Sequence, residues 1–456
     1  MARDVRALRH PVSVAGIVLT TVSAVLFLIV FLADLFGLHT NPYMGIVFFL
    51  ILPGSFLLGL ALIPVGAWID RWQRHRGRRA AEMRWPGVDL NDPGQRRAAL
   101  IIFLLTLANA MIVSLAAYRG VEYMDSVQFC GQVCHAVMKP EFVAYQDGPH
   151  SRVTCVQCHI GPGAGWFARS KLSGTRQVFA VTLNTYTRPI PSPVQSLRPA
   201  REVCEQCHWP EKFHGDKIRR VVEYAGDENN TESVTTLQVH VGGGSERLGI
   251  AQGIHWHMNV ANEVDYIATD DRRQVIPWVR IKDRFGNIRE YTAEGTTPEQ
   301  LAKGERRRMD CVDCHNRPSH PMAATPERAV NEMMARGEIP RTLPFVRREA
   351  VKALKATYAT QEAATEGISR ALRDFYRTQF ADVYMSRRQD VEKAVAAAEG
   401  AFRRNVFPEM RVQFGTYPNN LGHMDFPGCF RCHDDNHKSK DGKTIGQDCE
   451  NCHKIG

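Results

Sequence analysis

The chain has 456 residues, a net charge of +9 and 44% hydrophobic residues, with a mean hydropathy of -0.27, which on average matches a soluble protein of two or three domains. Its 12 cysteines are too few for a small disulfide scaffold. Six of the nine net positive charges lie in two short N-terminal segments, so the basic balance does not indicate a nucleic-acid partner.

Three uncharged apolar stretches come first: Val14 to Ala33, Tyr43 to Ile69 and Ala98 to Tyr118. At about 1.5 Å per residue, each is long enough for about 30 Å of hydrocarbon. Pro53 and Pro64 are expected to kink the second without making it soluble. The first is longer than a signal-peptide core and has no clear small-x-small cleavage site, so a retained anchor is expected. Arg3, Arg6 and Arg9 precede the first stretch and eight arginines lie between Asp70 and Arg97, whereas Asp34 to Pro42 has no lysine or arginine. The positive-inside rule then puts the N-terminus and the arginine-rich loop in the cytoplasm and everything after Tyr118 outside. The arginines are also placed to touch anionic lipid.

Beyond Tyr118 every cysteine belongs to a pair that closes on a histidine. The pairs are Cys130 and Cys134 before His135, Cys155 and Cys158 before His159, Cys204 and Cys207 before His208, Cys311 and Cys314 before His315, Cys429 and Cys432 before His433, and Cys449 and Cys452 before His453. With 17 histidines in 456 residues, chance placement after all six pairs has a probability on the order of a few in 10^9. Disulfides would explain an even cysteine count but not the histidines, and zinc ribbons need no histidine beside each pair. C-x-x-C-H is the c-type haem attachment signature, with two thioethers and an adjacent histidine directed at iron. Six covalently attached haem c groups are expected; the first motif carries one extra residue between its cysteines. Covalent haem attachment and a thiol-oxidising compartment both belong outside, in agreement with the arginine map.

Between and after the motifs the pattern changes twice. Pro189 to Pro199 reads as an extended linker. Leu237, Val239 and Val241 alternate with Gln238 and His240, and Val279–Lys282 with Ile288–Thr292 forms a hairpin around Gly286-Asn287. Thr325 to Val406 reads as helical: Thr325-Pro326 is a start and Gly337 a stop, while Ser386 and Gln389 form a capping box before the stripe Val391, Ala394, Val395, Ala398 and Phe402. The expected fold is mainly α: three transmembrane helices, a haem-packed periplasmic part with a small β section, and a C-terminal helical section. Boundaries are expected at 1–97, 98–215 (the third span and three haems), 216–300 (the β-rich insert) and 301–456 (helices and three haem motifs).

Low-spin electron carriers take two protein ligands per iron. Outside the motifs and the N-terminal segment, eight histidines remain as donors: His150, His214, His240, His255, His257, His320, His423 and His437. His214 and His320 lie too close to their own motifs to reach around the ring, so each is expected at a neighbouring iron. His437, between the last two motifs, is a candidate for the final one. His255 and His257 flank Trp256 and share a face if extended, leaving one of them as ligand. Met138, three residues after His135, is a thioether candidate for the first haem.

The run from Ala98 to His214, about a quarter of the chain, resembles the NapC/NirT (NrfH-like) family of membrane-anchored multihaem quinol dehydrogenases. The resemblance rests on a membrane helix, Cys130–His135, Met138, Pro140-Glu141-Phe142, His150, Cys155–His159, the Trp166–Lys171 segment and Cys204–His208. The whole layout, with added spans and C-terminal haems, is similar to larger inner-membrane cytochromes of metal-respiring bacteria. This implies oxidation of menaquinol or ubiquinol beside the first haem and onward transfer to periplasmic redox partner proteins. It also implies Met138 at the first haem in place of, or opposite, His135, with His150 at a later haem and Lys171 facing quinol. The family's usual C-x2-C-H-x-M is here C-x3-C-H-x-x-M. Only 12 residues separate Tyr118 from Cys130, a reach of at most about 40 Å, so a lipid-soluble reductant could reach the first haem. Two alternatives remain at this point: a terminal reductase of a nitrogen or sulfur oxyanion, which would need an open iron, and an anchor subunit that never binds quinol. Whether the chain oligomerises is left open.

Overall fold

The computed structural model describes residues 10–35, 52–76, 89–133, 135–161, 163–194, 197–209, 213, 215–242, 253–258, 262–283 and 285–456. Two compact units result, the first ending at Asp125 and the second beginning at Ser126.

The first unit consists of α1 (Pro11–Leu35), α2 (Leu52–His75) and α3 (Pro93–Met124). Two stretches among the described residues, Pro11–Leu28 and Leu52–Gln73, are long and apolar enough to cross a membrane. Small residues bring α1 and α2 together. A Cβ on Gly16 would lie 2.7 Å from the Gly59 carbonyl oxygen, and one on Gly66 2.4 Å from Ser13; such close backbone approach is how apolar helices associate without a hydrophobic driving force. Pro53 falls in the first turn of α2, where its missing N–H costs nothing. Pro64 lies inside the helix, and the Ser13 hydroxyl donates to the neighbouring Ile63 carbonyl at 2.9 Å. The third expected span, Ala98 to Tyr118, is continuous helix within α3, whose N-cap Asp92 accepts from the Gly94 amide at 2.9 Å. It is not one of the two qualifying stretches, and Arg96, Arg97, Arg119 and Glu122 close its ends.

The second unit opens with a π-helical turn, Phe129–Val133, then α4 (His135–Gln146), α5 (Cys155–His159), α6 (Ala164–Thr182) and α7 (Ala200–Cys204). Two antiparallel sheets follow. One has the order β1 (Asp216–Tyr224), β2 (Glu232–His240), β8 (His453–Ile455). The other runs β6 (Glu305–Arg308), β3 (Glu263–Ala268), β4 (Trp278–Lys282), β5 (Ile288–Ala293), β7 (His437–Ser439). The expected hairpin is the β4–β5 pair, with Gly286 at φ +83° in its turn. The expected separation of a 216–300 insert from a 301–456 region is not how the strands pair. Tyr291 pairs with Ser439 and Leu237 with Ile455, so the end of the chain completes both sheets. Nor is the proline-rich connector a free linker, because Tyr417 donates to the Ile190 carbonyl at 3.1 Å and Ile190 packs on the Phe407 cluster.

The helical section comprises α8 (Pro298–Lys303), α9 (Cys311–Cys314), α10 (Pro326–Ala335), α11 (Val346–Lys355), α12 (Gln361–Gln379), α13 (Ala381–Ser386) and α14 (Arg388–Asn405). Thr325 caps α10, and Gly337 at φ +75° follows its end. Val391, Ala394, Val395, Ala398 and Phe402 are buried in one core with Val330, Ile368 and Leu372. The Ser386–Gln389 capping box does not form. The Ser386 hydroxyl donates back to the Asp382 carbonyl at 2.6 Å, finishing α13, and α14 starts two residues later without a side-chain cap.

Leu372 is fully buried in this core. Leu372→Ala is expected to cost about 3 kcal/mol, seen as a lower Tm by far-ultraviolet circular dichroism with the haem Soret band unchanged at 25 °C.

Candidate haem-binding site

The cysteines of the second to sixth motifs are unbridged thiols, each set on a short helical turn or its edge. Aspartates set two of these turns: Asp310 accepts from the Cys311 amide at 2.6 Å, and Asp448 from the Glu450 amide at 3.0 Å. Thiols of different motifs lie side by side. Hydrogen bonding to Cys130 lowers Cys155 to about 7, and Cys204 bonds Cys311, which lowers the first thiol and raises the second. Burial pushes Cys314 up to about 11 and Cys432 up to about 12, the mark of apolar surroundings. All members of the third to sixth motifs, together with His150, His255, His257 and His423, line one cavity of about 2370 Å³.

The second to sixth motif histidines each face one further histidine. Ring centres are 6.0 Å apart for His208 and His150, 6.3 Å for His159 and His320, 6.2 Å for His315 and His255, 5.9 Å for His433 and His257, and 6.1 Å for His453 and His423. A metal–imidazole bond is about 2.0–2.1 Å and a ring centre lies about 1.1 Å behind its nitrogen, so two imidazoles across one iron have centres about 6.3 Å apart. The five spacings therefore fit an iron between each pair.

The ring nitrogens agree with this reading. The Nδ1–H of His150 donates to the Pro318 carbonyl at 3.1 Å, that of His255 to Val241 at 2.9 Å and that of His257 to Ile254 at 3.0 Å. His320 donates likewise to Glu141 at 2.9 Å and His433 to Gly446 at 3.0 Å. Each such bond fixes the tautomer that leaves the Nε2 lone pair for a metal. Burial lowers His159, His257, His315 and His320 below the usual histidine value, keeping these rings neutral.

The remaining expected donors differ. His437 is buried with both nitrogens engaged, Nδ1 to Asp434 at 2.8 Å and Nε2 to the Ile276 carbonyl at 2.7 Å. It has no lone pair to offer iron, and His423 stands opposite the last motif instead. His240 bonds Asp216 at 2.8 Å through Nδ1 and faces no motif histidine among the described residues. His255 and His257 do not share a strand face. They lie on a 3-10 turn, Ile254–Met258, where residues two apart diverge by about 240°, and each faces a different motif histidine. His214, Cys134 and the His135 side chain lie outside the described residues. Met138 is half-buried on α4, one turn from the His135 backbone, and the Lys171 ammonium on α6 sits 4.7 Å over the Phe167 ring. The extra residue of the first motif falls in the π-helical turn, where Gly131 is so close to Phe142 that any Cβ would overlap the ring.

Sequence reasoning missed the pair behind His320. Arg317 bonds Glu141 at 2.9 Å, both nearly buried, and Glu141 lies 3.4 Å from His320 Nδ1. Pro140-Glu141-Phe142 carried the resemblance, but nothing in its spacing shows that Glu141 meets a ligand 179 residues away.

The model for the NapC/NirT cytochrome c family, N-terminal region, matches residues 93–189. The cytochrome c-type protein ImcH of Geobacter sulfurreducens is 42% identical over 448 residues, which covers 98% of this chain and 88% of the relative. No solved structure matches.

Ring planes cross at 77° and 84° in the His150–His208 and His257–His433 pairs, but at 7° and 28° in His255–His315 and His423–His453. Electron paramagnetic resonance of the oxidised protein should show two large-gmax and two rhombic low-spin signals from these four, since crossed ligand planes leave the iron orbitals nearly degenerate. Glu141→Gln removes a negative charge that favours ferric iron. It should raise a single midpoint potential by on the order of 50 mV, read by redox titration.

Proposed function

Because the chain belongs to the NapC/NirT cytochrome c family, we propose that it is a membrane-anchored hexahaem cytochrome that oxidises menaquinol or ubiquinol and delivers the electrons to periplasmic redox partner proteins. The observation that carries this reading is the set of five histidine pairs, each spaced for one iron. An iron held on both sides by imidazole has no open position for an oxyanion, which argues against a terminal reductase at those five sites. Bound haem supplies reversible one-electron chemistry.

The chain's own residues do the rest. Cysteine pairs on short turns would hold each haem through two thioethers, and the Nδ1–H bonds fix the orientation of the imidazoles that would ligate it. Burial keeps the rings neutral and excludes water, which lowers the reorganisation that accompanies a change of charge. At the first motif, Met138 follows His135 by three residues on α4 and would hold the iron in place of, or opposite, His135. Cys130 follows α3 by six residues, so the first motif is tied close to the end of a helix that we read as a third span. Quinol gives up two electrons and two protons per molecule, and Lys171 orients its oxygen. With the arginine-rich loop inside, the protons are released to the periplasm.

Lys171→Ala is expected to slow reduction by a menaquinol analogue in nanodiscs at least 10-fold, while dithionite reduction and the low-spin signals stay as in the parent. Unchanged quinol kinetics would remove Lys171 from the site. No reduction of the parent protein by any quinol, with full reduction by dithionite, would overturn quinol oxidation and favour an anchor subunit.

A further inference from the structure

We infer that α6 lies on the bilayer surface with its outward face among the acyl chains of anionic lipid, an inference that rests on the membrane reading of the N-terminal helices. One side of α6 is accounted for by packing. Val181 lies against the cluster of Val137, Phe407 and Met410, and Trp166, Ser170 and Gly174 on that side are half-buried.

The opposite side is apolar and bare. Leu172 and Phe179, two turns apart, are 75% and 63% exposed, and Leu183 just past the helix is 68% exposed. A row of this kind marks an interaction surface more often than chance exposure.

Charge selects the occupant. Arg169, Lys171 and Arg176 are the charged residues from 164 to 183, and no aspartate or glutamate occurs there. The C-terminal helices differ: α12 and α14 offset their arginines with glutamates and aspartates, as in Arg373–Glu392 and Arg403–Glu399. An apolar row flanked only by cations is the composition of a helix lying in a headgroup layer.

The polar groups on the outward side are suited to that medium. Thr175 follows Leu172 and Thr182 follows Phe179, each by three residues, and their hydroxyls donate back to the carbonyls of Lys171 at 2.9 Å and Val178 at 2.8 Å. Neither hydroxyl needs water, so the face can enter a low-dielectric layer without stranding a donor.

The test uses full-length holoprotein in nanodiscs containing phosphatidylglycerol with a diazirine in its acyl chain. After photolysis, lipid adducts are mapped by peptide mass spectrometry. Adducts are expected at Leu172 and Phe179 as well as in α1 and α2. Labelling of residues 164–183 should fall at least 5-fold when the probe is carried on phosphatidylcholine in a zwitterionic disc. Arg169→Gln with Arg176→Gln should lower it similarly, with haem content unchanged. Adducts in α1 and α2 but none in 164–183 would overturn the inference while leaving the anchor in place. Adducts in neither would overturn the anchor reading itself. Equal labelling in both lipids would overturn anionic selection.

Discussion

Two imidazoles held about 6 Å apart, centre to centre, are the constraint on which the rest of this fold depends. A single metal between two nitrogens would need that distance, and five pairs match it whether the partners are near in sequence, as His423 and His453 are, or far apart, as His159 and His320 are. The second unit places its conventional cores around the cysteine turns: helices α10 to α14, the β3–β4 cluster, and the Phe407 cluster beside α4 and α6. Backbone carbonyls from the surrounding segments then hold the ligands. Pro318 and Glu141 hold His150 and His320, Val241 at the end of β2 holds His255, and Gly446 holds His433.

Closing the sheets with the last strands has the same mechanical sense. β8 begins at His453 itself, so the sixth motif histidine is fixed by the ladder to β2, and β7 is seated by the bond from buried His437 to the Ile276 carbonyl. A histidine that offers nothing to iron thus still helps position the fifth and sixth motifs, by tying the segment between them to the β3–β4–β5 sheet. The buried Tyr266–Asp313 bond, 2.5 Å long, does comparable work for the fourth motif. Asn420 adds to it by donating to the Asp313 carbonyl at 2.9 Å.

The motifs, the helical C-terminal section and the β4–β5 hairpin are legible in the sequence because each is a local pattern: a fixed spacing, a 3.6-residue stripe, a Gly-Asn turn. The donor set is legible only as a set. Subtraction names eight histidines, but which one faces which motif is decided by long-range contacts such as His150 with His208 and His257 with His433. His437 illustrates the limit. Its position between two motifs suggests a ligand, whereas Asp434 three residues earlier and the Ile276 carbonyl just before β4 occupy both nitrogens. His255 and His257 depart from the shared face that an extended chain would give them, because the backbone makes a 3-10 turn there and that change of period sends the two rings to different motif histidines. Glu141 and Arg317 give no signal, since an ion pair across 176 residues leaves no periodicity behind.

Electron carriage through these haems requires closed irons at the second to sixth motifs, and carbon monoxide tests this most directly. Titrated into the fully reduced, detergent-solubilised protein and followed in the Soret region, carbon monoxide should bind at no more than one haem in six, the first. Binding at two or more would contradict the histidine pairing and with it the reading of this chain as an electron carrier.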